Sequence, residues 1–183
     1  MAKLFVVEGG KTEVLEAQPF DNETLLQDIL EKFPEVIALD DLGVSEPFIV
    51  IGREVATPAG SIDVLCIDGE GVLTVIETKL ARNPQIRREV VGQILEYVGQ
   101  VSKWRAQDVI QVASRYFQSE SAPIEMRNRS LFDVLRGDAE PEGELLPDEL
   151  YDRIDNNLRK GRVKIVIASD MIPETLKDTV TYC

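Results

Sequence analysis

Residues 60–79 read GSIDVLCIDGEGVLTVIETK, two apolar runs rich in β-branched residues on either side of a Gly-containing turn. This pattern is typical of a β-hairpin. Polar residues interrupt it at one end, where Asp63 lies in the first strand and Glu77 and Lys79 lie at the close of the second. Because side chains alternate between the two faces of a strand, we expect Glu77 and Lys79 to share a face.

The length of the turn sets which residues face each other. A three-residue turn that ends on Gly71 is favourable, because such turns need a left-handed conformation at their last position. It would pair Asp68 with Val72, and therefore Asp63 with Glu77. Directly opposed residues have Cβ atoms about 5 Å apart, and two carboxylates that close repel each other unless a cation lies between them. The hairpin therefore predicts a divalent-metal site with a lysine beside it.

The amino-acid composition limits which kinds of active site and metal site the chain can contain. The 183 residues include no His, which excludes Ser-His-Asp sites, Cys-His sites and His-ligated zinc. Oxygen ligands favour Mg²⁺ or Mn²⁺ over Zn²⁺. With only Cys66 and Cys183 there is no disulfide framework, so we expect a reducing, cytoplasmic setting. We find no signal peptide and no membrane-spanning run, and we expect no membrane partner.

The charge is negative overall and unevenly distributed. The net charge of −13 opposes a general attraction to nucleic acid. From residue 78 to 105, however, six basic residues face only two acidic ones. A basic segment therefore follows the carboxylate motif directly.

The remaining segments predict a mixed α/β sheet flanked by helices. Residues 1–20 form an N-terminal β-ribbon, interpreted as an accessory element or, alternatively, as a homodimer contact. Residues 21–183 form one domain, and because the chain stops inside a predicted helix we expect it to be part of a longer protein. The first predicted elements are a helix from 21 to 33 and a strand over 46–54, which makes a three-strand meander with the hairpin. A helix over 84–104 follows, and then a helical insertion over 106–160 with an exposed acidic loop at 137–144. The last elements are a buried strand over 162–169 and a helix over 172–182.

Two predicted helices carry polar residues of interest. In the first, Asp21 or Asn22 is the N-cap, and Glu23 complements the helix dipole or, alternatively, adds a third carboxylate to the site. In the second, Gln93 and Tyr97 lie four residues apart at the edge of the apolar face. The apolar face of the first helix is predicted to contain Leu25, Leu26, Ile29, Leu30 and Phe33.

At this point the motifs resemble those of a known superfamily. Asp63 followed by Glu77-Thr78-Lys79 resembles the D…(D/E)-x-K core of the PD-(D/E)XK nucleases, with Ile62 where a Pro is usual. Gln93 and Tyr97 resemble the Q-x-x-x-Y motif of the RecB-like branch, and Glu23 its first-helix glutamate. The amino-acid sequence of the hairpin is most similar to that of NucS-like endonucleases.

The resemblance implies a restriction-endonuclease-like core and a Mg²⁺- or Mn²⁺-dependent DNA nuclease of repair, recombination or defence against foreign DNA. It implies that Asp63, Glu77 and the Thr78 carbonyl bind the metal. Lys79 would orient or deprotonate the attacking water and stabilise charge on the phosphate, and a lysine beside a metal can have a lowered pKa. The supporting roles fall to Glu23, which would serve the metal or its water, to Gln93, which would brace the site, and to Tyr97, which would pack behind it or meet the substrate.

Some alternatives stay open at this stage. Arg82, Arg87 and Arg88 would hold phosphates, or they form a solvated basic helix start. The chain could be a non-catalytic nuclease-fold module that binds nucleic acid or protein, which the net charge favours. It could also be an ordinary acidic protein without a site, which requires Asp63 and Glu77 to face opposite sides of the sheet. The sequence does not distinguish DNA from RNA.

Overall fold

The computed structural model describes residues 4–8, 11–15, 19–37, 42–82, 89–137 and 147–171, the first two ranges in backbone only. The elements in chain order are β1 (Leu4–Glu8), β2 (Lys11–Leu15), α1 (Glu23–Lys32), β3 (Ile49–Thr57), β4 (Gly60–Ile67), β5 (Leu73–Thr78), α2 (Glu89–Val101), α3 (Ala106–Phe117), α4 (Leu131–Arg136), α5 (Pro147–Arg159) and β6 (Val163–Ala168). None of the helices in these ranges combines the length and apolar content needed to cross a bilayer.

The predicted hairpin and its register are confirmed. Strands β4 and β5 are antiparallel, with Val64 opposite Ile76 and the other pairs in the same register. The turn is closed by hydrogen bonds from the Asp68 amide to the Val72 carbonyl (3.1 Å) and from the Gly71 amide to the Asp68 carbonyl (2.9 Å). Gly71 has a φ of +73°, the left-handed conformation that this turn requires. One further step along the ladder from Val64 and Ile76 places Asp63 opposite Glu77.

The main sheet has the strand order β3-β4-β5-β6, and the ribbon β1-β2 is a separate antiparallel pair. The meander β3-β4-β5 is antiparallel, whereas β6 is parallel to β5. A parallel neighbour needs a long crossover connection, and the helices α2 to α5 lie in that connection. This four-strand mixed sheet flanked by helices is consistent with the predicted restriction-endonuclease-like core.

Residues 162–169 were predicted to form a buried strand. The strand is present, but it is not buried. Every residue of β6 is at least partly exposed, whereas every residue of β5 is buried. The reason is position, because β6 lies at an edge of the sheet. The apolar sequence Val163 to Ala168 therefore marks a strand that packs on one neighbour.

Helix α1 begins as predicted and buries Leu26 and Leu30 as predicted, but its buried face is rotated away from the other predicted residues. The Asn22 side chain caps it by accepting a hydrogen bond from the Leu25 amide at 2.8 Å. Leu25 and Phe33, predicted for the apolar face, are 41% and 52% exposed. The buried face consists of Leu26, Gln27, Leu30 and Glu31.

Buried Glu31 explains the orientation of α1. Its Oε2 lies 2.7 Å from Arg53 Nη1, and its Oε1 accepts a hydrogen bond from the Tyr116 hydroxyl at 3.0 Å. Arg53 also pairs with Asp28 at 2.6 Å. A buried charge is tolerated only when it is paired and hydrogen-bonded. This network therefore fixes α1 to β3 and α3, and with it the direction in which the start of α1 points.

The helices of the predicted insertion pack into the same core as the sheet. Helix α3 begins at Ala106, where the predicted helical insertion begins, and packs against β3. One cluster of buried side chains joins the sheet to α3, α4 and α5, and its members include Val109, Phe117, Leu131 and Ile154. The acidic loop beyond Gly137, the start of the 84–104 helix and the predicted helix at 172–182 lie outside the described residues.

Candidate active site at the open end of the hairpin

Asp63 occupies the point where β4 and β5 separate. Its side chain is 8% exposed. Its Oδ2 accepts hydrogen bonds from the Thr78 amide at 2.7 Å and from the Thr78 hydroxyl at 2.6 Å. Through these bonds the Asp63 carboxylate joins the two strand ends. Its Oδ1 takes no part in them.

Glu77 is the most unusual group at this end of the sheet. Its side chain has no exposed surface, and the Lys79 ammonium lies 3.0 Å from its Oε1. Its Oε2 has no hydrogen-bond partner among the described residues. Burial of a carboxylate with one oxygen unpaired is costly. Among the described residues, Glu77 is therefore a strong candidate to receive a bound cation.

The electrostatics of Glu77 agree with that geometry. Burial and then the neighbouring Asp63 charge raise the pKa of Glu77 to about 7, and Lys79 only partly offsets them. An acid whose ionised form is destabilised both by burial and by another carboxylate is typical of functional sites. The repulsion between the Asp63 and Glu77 carboxylates agrees with the prediction that the hairpin brings these two groups close together.

Glu23 reaches this site from a distant part of the sequence. Its Oε2 lies 3.7 Å from Lys79 Nζ, and its Oε1 accepts a hydrogen bond from the Leu80 amide at 3.2 Å. The side chain therefore points towards the end of β5 and lies beside Lys79, and a role for Glu23 towards a metal stays a prediction. Three carboxylates, from Glu23, Asp63 and Glu77, act on Lys79.

In the metal-free site the shift of the Lys79 pKa is opposite to the one expected beside a bound metal, and the expectation for the metal-bound site stays a prediction. Burial lowers the pKa of Lys79, but the contact with Glu77 and the charges of Glu23 and Asp63 outweigh it, so the pKa is raised. The physical reason is that several acids stabilise the ammonium more than partial burial destabilises it. Lys79 is therefore positively charged at neutral pH.

The residues on α2 lie behind the carboxylates. The Gln93 Nε2 donates a hydrogen bond to the Tyr97 hydroxyl at 2.6 Å. Tyr97 is only 2% exposed, and its pKa is raised by burial and, to a lesser degree, by Glu77 and Asp63. Of the two roles expected for Tyr97, this burial favours packing behind the site over contact with a substrate.

Tyr97 is held against the start of β4 by a glycine. A Cβ at Gly60 would lie 3.0 Å from the Tyr97 hydroxyl oxygen, and Gly60 has a φ of +132°. Only glycine adopts such a φ easily. The absence of a side chain at this position lets the tyrosine ring approach the strand that leads to Asp63.

Replacing Gly60 by alanine is expected to destabilise the protein by about 1–3 kcal/mol, because the new Cβ is strained and displaces Tyr97. Urea unfolding measures the change. The matched control is Gly99→Ala in α2, where nothing lies within 4 Å of an added Cβ. That substitution is expected to stabilise by about 0.5–1 kcal/mol. Equal effects of both substitutions would contradict the packing of Tyr97 on Gly60.

The three predicted phosphate-binding arginines are only partly described. Arg82 is exposed, and its guanidinium donates a hydrogen bond to the carbonyl oxygen of Asp21. This contact ties the segment after β5 to the residues before α1. Arg87 and Arg88 lie outside the described residues, so a phosphate-binding role for all three stays a prediction.

Asp170, which follows β6, was not among the predicted site residues. Its Oδ1 accepts a hydrogen bond from the Ala81 amide at 2.8 Å. The only sequence signal was an acidic residue just beyond a predicted strand, which is common and says nothing about its partner. Within the described part of the chain, no three Asp, Glu, His or Cys side chains form a group suited to a metal ion. The described site thus contains the carboxylates of Asp63 and Glu77, with that of Glu23 beside Lys79, but no three side chains grouped closely enough to enclose a metal ion.

Comparison with protein families adds independent evidence. Residues 23–122 match the model of the endonuclease NucS C-terminal domain. The chain belongs to this family. The matched segment covers more than half of the chain and contains Glu23, Asp63, Glu77, Lys79 and Tyr97. No curated protein and no solved structure matches the chain.

The extent of the NucS C-terminal domain match bears on the predicted insertion. The match ends at residue 122, so it includes α3. The first part of the segment 106–160 therefore belongs to the family domain. Helices α4 and α5, strand β6 and Asp170 lie beyond the match.

Proposed function

We propose that this protein is a Mg²⁺- or Mn²⁺-dependent DNA endonuclease of the PD-(D/E)XK type, acting in repair, recombination or defence against foreign DNA. Membership of an endonuclease family supports a nuclease in general. The observation that carries the finer proposal is the fully buried Glu77 carboxylate, whose Oε1 pairs with Lys79 and whose Oε2 has no hydrogen-bond partner among the described residues. It lies beside Asp63 and Lys79 at the strand ends where the D…(D/E)-x-K pattern places its motif.

The residues present fit a hard divalent cation. Asp63, through its Oδ1, and Glu77 would bind it, and carboxylate oxygens are the ligands that Mg²⁺ and Mn²⁺ prefer. As the resemblance to PD-(D/E)XK nucleases implies, the backbone carbonyl of Thr78 would be the third protein ligand. When bound, such an ion acidifies water and neutralises charge on a phosphodiester.

The other residues of the site would contact the phosphate, accept a proton from water or support the hairpin. The Lys79 ammonium lies between Glu77 and Glu23, where it would donate hydrogen bonds to non-bridging phosphate oxygens. Its ion pairs with Glu77 and Glu23 favour this electrostatic role over proton abstraction. Glu23 would accept the proton of the attacking water, because its Oε2 is 3.7 Å from Lys79 and takes no backbone hydrogen bond. Gln93 and Tyr97 would hold this end of the hairpin from behind.

The competing proposal is a non-catalytic module of the same fold that binds nucleic acid or protein. The net charge of −13 favours its protein-binding form, because an acidic surface slows the approach of DNA. The complete set of Asp63, Glu77 and Lys79 favours the enzyme, since a binding module has no need of a buried carboxylate pair.

Incubation of the purified protein with supercoiled plasmid and Mn²⁺ tests the proposal. We expect nicked circles with Mn²⁺ and none with a chelator. Asp63→Ala serves as the inactive variant, and Glu96→Gln, which removes an exposed carboxylate from α2, serves as the charge-matched active control. If the wild-type protein cleaves no form of DNA but retards it in a gel, the module is the correct assignment.

A further inference from the structure

Strand β5 is followed by a short segment whose position is set by hydrogen bonds to other parts of the fold. The backbone amides of Lys79, Leu80 and Ala81 each donate a hydrogen bond to an acceptor on a different element. The acceptors are the Ala168 carbonyl at the end of β6 (2.9 Å), Glu23 Oε1 at the start of α1 (3.2 Å) and Asp170 Oδ1 after β6 (2.8 Å). The direction of the chain after Lys79 therefore depends on these three contacts.

Asp170 differs from the other two acceptors because it lies near two segments at once. It accepts a hydrogen bond from the Ala81 amide, and the Phe20 amide lies close enough to help lower its pKa. The Ser169 hydroxyl lies 3.4 Å from its Oδ1. The bond from Ala81 is the main cause of a lowered pKa of Asp170, so the carboxylate is ionised at neutral pH. Ala81 lies two residues after Lys79, and Phe20 lies three residues before Glu23.

We infer that Asp170 is a positioning residue, which holds the segment carrying Lys79 against the segment carrying Glu23. The inference rests on the proposed nuclease function, because it concerns the same site. The hydrogen bonds of Asp170 are to the Ala81 amide and to the neighbouring Ser169 hydroxyl, and neither donor belongs to the carboxylate pair. Its effect is on the Lys79 ammonium, which lies 3.0 Å from Glu77 and 3.7 Å from Glu23.

The chain offers a matched control for this inference. Asp155 on α5 also accepts a hydrogen bond from a backbone amide, that of Ala106, at 2.7 Å. The contact joins α5 to the start of α3, and neither residue contacts the site. Asp155→Ala and Asp170→Ala therefore each remove one carboxylate that binds backbone, at similar expected losses of thermal stability.

Steady-state nicking of the variants with Mn²⁺ tests the inference. We expect Asp170→Ala to lower kcat by about 10- to 100-fold, because small displacements of catalytic groups have effects of this size. The KM for DNA should change by less than about threefold. Asp170→Asn, whose amide oxygen can still accept from Ala81, should recover most of the kcat. Asp155→Ala should keep the wild-type kcat per folded molecule.

A readout without activity separates this inference from the proposed function. In the reductively ¹³C-methylated protein, the Lys79 resonance is assigned by its absence from Lys79→Arg. We expect Asp170→Ala to shift this resonance and Asp155→Ala to leave it unchanged. An unmoved Lys79 resonance in Asp170→Ala, or equal kcat values for Asp170→Ala and Asp155→Ala, overturns the positioning role. A wild-type protein without nuclease activity overturns the proposed function, and the resonance still tests the positioning.

Discussion

Replacing Lys79 by alanine is expected to lower the kcat for Mn²⁺-dependent nicking by about 10²- to 10³-fold, the usual effect of losing one charged donor at a developing charge. Mn²⁺ affinity should stay within about threefold of the wild-type value, because Asp63 and Glu77 remain in place. The expectation follows from the position of the ammonium, 3.0 Å from Glu77 and 3.7 Å from Glu23. Single-turnover cleavage of a labelled duplex measures the chemical step directly.

Lys103→Ala is the control, because Lys103 is an exposed lysine at the end of α2 and its loss changes the net charge by the same amount. It should cleave at the wild-type rate. The proposed role of Lys79 is contradicted if both variants lose the same activity, since a general loss of positive charge would then account for the effect.

Replacing Glu77 by glutamine is expected to change the pH dependence of stability in metal-free protein. Burial and Asp63 raise the pKa of Glu77 from 4.5 to about 7. Below the lower value the acid is protonated in both the folded and the unfolded chain, and it costs nothing. As the pH rises from 4.5 to 7, the unfolded chain ionises first and wild-type stability falls. Above 7 the loss is complete and constant.

The size of this loss follows from the two pKa values. A tenfold difference in proton affinity corresponds to about 1.4 kcal/mol, so the ionised Glu77 costs folding about 3 kcal/mol at pH 8. The stability of Glu77→Gln relative to the wild type should therefore rise by about 3 kcal/mol between about pH 4 and pH 8. Urea unfolding with a chelator present at several pH values measures it. The control Glu96→Gln, at an exposed position, should show a constant difference, and a constant difference for Glu77→Gln would contradict the account.

The features that could be predicted from the sequence depend on short-range rules. The register of the hairpin follows from the position of Gly71 and from counting back along two strands, and the structure has that register. The start of α3 and the cap at Asn22 also follow from local chemistry. Because Asp63 and Glu77 are joined by this local hairpin, their juxtaposition was predictable without knowledge of the rest of the fold.

The features that could not be predicted depend on long-range partners. Leu25 and Phe33 were expected in the core, but buried Glu31 turns α1 by pairing with Arg53 on β3. The local sequence around Glu23 suits a helix dipole as well as an active site, and its position at the end of β5 depends on a contact with Leu80, far along the chain.

Strand β6 and its surroundings show the same limitation. An apolar run predicts a strand, but its burial depends on whether a neighbour covers both edges, and β6 has its hydrogen-bonded neighbour in β5 alone. Asp170 owes its place at the site to that parallel pairing, which brings the residues after β6 next to those after β5. Such pairing partners are chosen by the whole fold.

The central claim is that buried Glu77 and Asp63 form a divalent-metal site. Calorimetric titration of the chelator-treated protein with Mn²⁺ at about pH 8, where Glu77 is ionised, tests it most directly. We predict that the wild-type protein binds Mn²⁺ and that Glu77→Gln and Asp63→Asn weaken binding by at least about tenfold, while Glu96→Gln does not. Mn²⁺ binding that is equally strong in Glu77→Gln, or a folded wild-type protein that binds no Mn²⁺, would contradict the account.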